Sequence, residues 1–81
     1  MSDRARKPVA MVTARRLRAI MAVRNMTSAD LMRKTGCGSG QISNYLNGYF
    51  VMRIDVLIRL CKALDCSADY LLGLSNTPKG S

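Results

Sequence analysis

The chain has 81 residues, of which 48% are hydrophobic and 22% charged, the composition of one small folded domain rather than of a disordered segment. With three Tyr, one Phe and no Trp, the interior has to be built from Leu, Ile, Met and Ala, which favours a helical bundle. Thirteen Lys and Arg against five Asp and Glu give a net charge of +8, a surplus suited to a polyanion, either nucleic acid or an anionic membrane surface.

Residues 1–8 read as a flexible basic arm carrying Arg4, Arg6 and Lys7 and ending at Pro8. No long apolar stretch or A-x-A site follows, so a secretory signal is not expected. A first helix is predicted over 9–24, with Leu17, Ile20 and Met21 on one stripe and Thr13 or Val12 a turn earlier; Asn25 tolerates the left-handed conformation of a C-terminal cap. Thr27-Ser-Ala-Asp30 is a capping-box pattern that opens a short second helix ending at Gly36, with Met26 and Leu31 as its hydrophobic staple. A third helix runs from Ser39 to Asn47 and stops at Gly48. The fourth places Ile54, Leu57, Ile58, Leu60, Cys61 and Leu64 at helical spacing. Ser67 caps a fifth, Ala68 to Leu72, closed by Gly73. The domain thus spans 9–74, and residues 75–81 read as a flexible tail. No segment alternates as a strand does, so the expected class is all-α, a compact five-helix domain.

No apolar run approaches the roughly 20 residues of a membrane span. The absence of His removes His-based catalysis and most zinc sites, and no paired carboxylates suggest acid–base chemistry. Cys37, Cys61 and Cys66 contain no C-x-x-C pair; the expectation is reduced, buried thiols in a cytoplasmic protein that is not an enzyme and needs no metal or cofactor. The charge is unevenly spread. Residues 1–36 hold nine basic and two acidic side chains, residues 37–81 four basic and three acidic, and residues 37–48 none of either.

That neutral segment is informative. Helices two and three are joined by Thr35-Gly36-Cys37-Gly38, and a short Gly-containing turn between two helices is a helix-turn-helix signature. On a wheel with Ser39 at zero, Ser43, Asn47, Gly40 and Asn44 fall at about 40°, 80°, 100° and 140°, whereas Ile42 and Tyr45 fall near 300° and 240°. One side is apolar; the other is small, polar and neutral. The wheel alone favours a plain solvent face over a surface that reads base edges in a major groove.

From Arg16 to Leu72 the chain resembles the Cro/cI (Xre, lambda-repressor-like) DNA-binding family. The residues that carry the likeness are Leu17-Arg-Ala-Ile20, Met26-Thr-Ser-Ala-Asp-Leu31, Gly36, Ile42-Ser43, Asn47-Gly48, Leu57-Ile-Arg-Leu-Cys-Lys-Ala-Leu64 and Cys66-Ser-Ala-Asp-Tyr-Leu-Leu72. Each motif is weak by itself; their ordered spacing is specific. The resemblance implies a lambda-repressor-like fold whose third helix meets bases through Ser39, Gly40, Ser43 and Asn44, with Gln41 at the edge of that face. Thr27, Ser28, Asn47, Tyr49, Arg16 and Arg53 are then expected at phosphates, helped by the arm residues Arg4, Arg6 and Lys7. Asn44 is the first choice for specificity, because an Asn side chain can bond an adenine edge bidentately.

Three departures stand out. Ser28 replaces the family's usual Gln. Gly40 sits inside helix three without a side chain for readout. Met21 and Leu46 occupy positions where many relatives pair an Arg with a Glu, a double change that predicts an apolar contact between helices one and three. The function implied is a transcription regulator, a Cro-like or prophage repressor that binds an inverted repeat in double-stranded DNA as a homodimer. Helix five and Leu74 are the expected dimer surface, and no membrane or small-molecule partner is expected. The competing reading is a protein-interaction module of the same fold, an antitoxin or adaptor. Membrane-surface binding is disfavoured, since helix one lacks Trp or Phe to anchor it.

Overall fold

A computed structural model describes residues 8–79. Among them the chain forms five helices and no strand: α1 (Pro8–Arg24), α2 (Ser28–Thr35), α3 (Ser39–Leu46), α4 (Ile54–Leu64) and α5 (Ala68–Leu71). The first begins at Pro8 rather than after it, as the fixed φ and missing N–H of proline suit an initial helical position. The arm residues Arg4, Arg6 and Lys7 lie outside the described residues.

Every helix sends at least one side chain fully into a single core: Leu17 and Ile20 from α1, Leu31 from α2, Ile42 from α3, Leu60 and Leu64 from α4, and Leu71 from α5. Each such burial is worth about 1.5–3 kcal/mol, so no helix is dispensable to the bundle. Helix α1 is the hub, packing on α3, α4 and α5, while α2 packs on α3 and α4. The α4 stripe differs from the expectation. Val56, Leu60 and Leu64 are buried, whereas Ile54 is 76% exposed and Ile58 49%. Ile54 and Ile58 repeat at four residues just as Val56 and Leu60 do, but lie about 200° around the helix from them, and the second set enters the core.

The helix ends follow the residues that cap them. Thr27 and Asp30 form the reciprocal box: the Thr27 hydroxyl accepts from the Asp30 N–H at 3.2 Å, and Asp30 Oδ2 accepts from the Thr27 N–H at 2.9 Å. Asn25 and Asp65 adopt left-handed φ of 55° and 51°, closing α1 and α4. Gly36, at φ 77°, ends α2 and turns the chain toward α3; the Thr35 hydroxyl donates to Leu31 O and accepts from the Cys37 N–H, bracing that turn. Gly48, at φ 74°, lies so close to α1 that a Cβ would stand 3.3 Å from Met11 Cα.

Three arginines of α1 bind the ends of other segments. Arg18 Nε donates to Leu46 O at 2.9 Å, at the close of α3. Arg24 donates to Leu64 O and Asp65 O at 2.9 and 3.0 Å, at the close of α4. Arg16 donates to Ser75 O and Asn76 Oδ1, both at 3.0 Å, and lies 4.7 Å from the Tyr70 ring centroid. A cation at a helix C-terminus meets the negative end of the helix dipole and orphan carbonyls. Residues 75–79, read from sequence as part of a loose tail, are held by Arg16 and by the Ser67 N–H bonded to Pro78 O at 2.6 Å.

The capping box generates a prediction. Bonds from the Thr27 backbone and hydroxyl, assisted by Arg33, hold the Asp30 carboxyl below its usual range. Its stabilising effect is therefore present above the usual carboxylate range and fades as pH falls through the lowered folded value. Thr27→Ala should cost about 1 kcal/mol in urea unfolding at pH 7. Asp30→Asn should lower the melting temperature at pH 7, and the gap to wild type should close in acid.

Candidate nucleic-acid interface

The α2–turn–α3 unit presents its outward side as the sequence wheel suggests. Ile42 and Tyr45 are buried, and Ser39, Gly40, Gln41 and Ser43 are exposed. Asn44 is half-buried. Its backbone carbonyl accepts from the Tyr49 N–H at 3.1 Å, fixing the start of the α3–α4 loop. Gly40 has open space where a Cβ would stand, so no internal packing in the described chain demands a glycine there. Gln41 points partly back: its Nε2 donates to the Tyr45 hydroxyl at 3.2 Å, leaving the carbonyl oxygen to act outward.

Ser28 is the first residue of α2 and exposed, and it lines a groove of about 240 Å³ with Ser39, Ser43, Asn47 and Arg18. Thr27 stands beside it, but its hydroxyl already accepts from the Asp30 N–H and donates to Asp30 Oδ2 at 3.1 Å. Asn47 closes α3; its Nδ2 donates to Ser43 O at 2.8 Å and to Ser43 Oγ at 3.3 Å. Tyr49 is half-buried in the loop that follows. Arg53 leads into α4 with an 80% exposed side chain, 3.5 Å from Asp55.

Arg16 is the expected site residue that the structure does not bring here. It is three residues from Thr13 and four from Ile20, both buried, and so sits at the core edge of α1, turned to Tyr70 and residues 75–76. Arg15 and Arg18, a turn apart and both exposed, instead flank Leu46 and Asn47 at the end of α3. The wheel held that signal, because 15 and 18 share a side and 16 belongs to the buried one. Met21 and Leu46 wall one depression with Met26; both belong to or pack on the core.

Another groove with polar walls lies at the α4–α5 corner, lined by Cys61, Lys62, Asp65, Cys66, Ser67 and Lys79. Burial pushes both thiols up, and Cys66, which also faces Cys61, reaches about 11. Both shifts favour the neutral thiol over the nucleophilic thiolate. No helix among the described residues is long and apolar enough to cross a membrane.

No curated protein matches the chain, and neither does any solved structure. A family model described as Cro/C1-type HTH DNA-binding domain matches residues 16–76, from the middle of α1 to the segment clasped by Arg16. With the turn, the capped second helix and the small-polar face of α3 all inside that span, the chain belongs to the Cro/C1-type helix-turn-helix DNA-binding family.

Proposed function

We propose that the protein is a sequence-specific transcription regulator, a Cro-like repressor that binds an inverted-repeat operator as a dimer. The carrying observation is the outward side of α3, where Ser39, Ser43 and Asn44 offer hydrogen-bonding groups and Gly40 adds no bulk. Such a surface lets a helix backbone sit deep in a major groove while small polar groups reach base edges. Two copies in successive grooves, about 34 Å apart, read the two half-sites, and occupancy of a promoter then excludes polymerase. Asn44 is assigned the leading base contact, with Ser39, Ser43 and the Gln41 carbonyl beside it.

Phosphates are assigned to the exposed start of α2 at Ser28, where helix N–H groups favour an anion, and to Asn47, Tyr49 and Arg53. Arg15 takes the part that sequence gave to Arg16, whose guanidinium donors are engaged elsewhere. The arm residues Arg4, Arg6 and Lys7 add long-range attraction. Apolar surface for pairing is available at Leu72 and Leu74 beyond α5, 39% and 75% exposed, and at Ile54 and Ile58 on α4.

Selection of bound duplexes from a random DNA pool tests this reading. The expected product is an inverted repeat with half-sites about one helical turn apart. Recovery of no duplex above background would replace it with the interaction-module reading. On the selected site, Asn44→Ala should lose about 1–3 kcal/mol and relax one symmetric position, with non-specific binding hardly changed. The log–log salt slope should have a magnitude of roughly 4–8 for a dimer, and removal of residues 1–7 should reduce it. Gly40→Ala separates folding from binding. It should stabilise the free protein by up to about 1 kcal/mol yet weaken operator affinity, because the added methyl meets nothing until DNA arrives.

A further inference from the structure

The geometry points to Arg18 as a specificity-determining positioning residue, which sets the register of the reading helix through Asn47 and Ser43. This inference rests on the proposed reading of DNA by α3. The guanidinium spans two acceptors at the end of that helix, with Nε on Leu46 O at 2.9 Å and Nη2 on Asn47 Oδ1 at 3.5 Å. With its oxygen facing Arg18, the Asn47 amide presents its Nδ2 to Ser43 O and Ser43 Oγ at 2.8 and 3.3 Å. The chain of bonds therefore starts on α1 and ends on a hydroxyl at the groove-facing side of α3.

Two consequences follow from the direction of these bonds. Because Nδ2 supplies a hydrogen to Ser43 Oγ, the serine proton is left to point away from Asn47, and the hydroxyl is biased to act as a donor toward a base acceptor. Because Arg18 is anchored on the hub helix, α3 is tied at its C-terminal end as well as through buried Ile42 and Tyr45. The depression between α1 and α3 walled by Met21 and Leu46 is apolar at those two residues. Arg18 supplies a polar tie between α1 and the end of α3 three residues earlier in α1. It is a fork contact: a planar guanidinium reaches both acceptors at once, whereas an ammonium is a single point of charge.

Arg18→Lys is accordingly the informative variant, since it keeps the charge. Wild type, Arg18→Lys, Arg18→Met and Ser43→Ala would be compared by random-pool selection, titration on specific and random duplexes, and thermal melting. Arg18→Lys should retain binding to random DNA and its salt slope. Its specific-to-random ratio should fall about tenfold, with relaxation at the same symmetric base pair that Ser43→Ala relaxes. Arg18→Met should relax that base pair too and also lower the salt slope. Arg18→Lys with an unchanged preference profile would overturn the positioning role. So would an equal loss on all duplexes, which marks a phosphate contact, or a lowered melting temperature with preference intact, which marks a purely structural tie. Failure of wild type to select any duplex would instead remove the reading on which the inference stands.

Discussion

Arginine side chains of one helix reaching the carbonyl ends of the others are the constraint on which this small bundle depends. Helix α1 contributes to the core as the other helices do, and its arginines also reach the closes of α3 and α4 and the segment after α5. Short helices carry a large share of unsatisfied end groups relative to their length. In α3, eight residues long, the carbonyls of Ser43, Asn44 and Tyr45 accept the N–H groups of Asn47, Tyr49 and Gly48, and Leu46 O accepts from Arg18. A guanidinium placed there answers an orphan acceptor and the negative helix end together. The cost is that these donors are committed inside the molecule. Their charge remains and still adds to the field felt by a polyanion, but Arg16 and Arg24 are no longer reaching side chains.

That division explains what was legible in the sequence. The capped ends of α2 and α5 were legible because Thr27, Asp30 and Ser67 act on backbone groups within three residues of themselves. The inward side of α3 was legible because Ile42 and Tyr45 are its large apolar groups and lie together on the wheel. The turn was legible through Gly36, which has to adopt a positive φ there. Each of these depends on local geometry.

What could not be read depended on distant partners. The Arg18 and Arg24 bonds span 28 and 40 residues, and nothing within α1 announces which carbonyl each will find. In α4, two aliphatic stripes compete: Ile54 and Ile58 are bulkier and more apolar on paper than Val56, yet Val56 is the one buried in the core. Only the packing partner decides between them. The docked residues 75–79 were similarly hidden, because Ser, Asn, Thr and Pro carry the composition of a loose end, and their anchors are a main-chain N–H at Ser67 and a guanidinium 59 residues away from Ser75.

The open space around Gly40 has a consequence for how such a scaffold changes over time. Ser39, Gly40 and Asn44 lie on the outward side of α3, and none of their side chains is part of the buried core. Exchange of residues there leaves the hydrophobic interior and the arginine clasps as they are. The buried and the outward side chains are therefore separate sets on one eight-residue helix, so that, on the reading of DNA proposed above, target choice can change while the packed interior is kept.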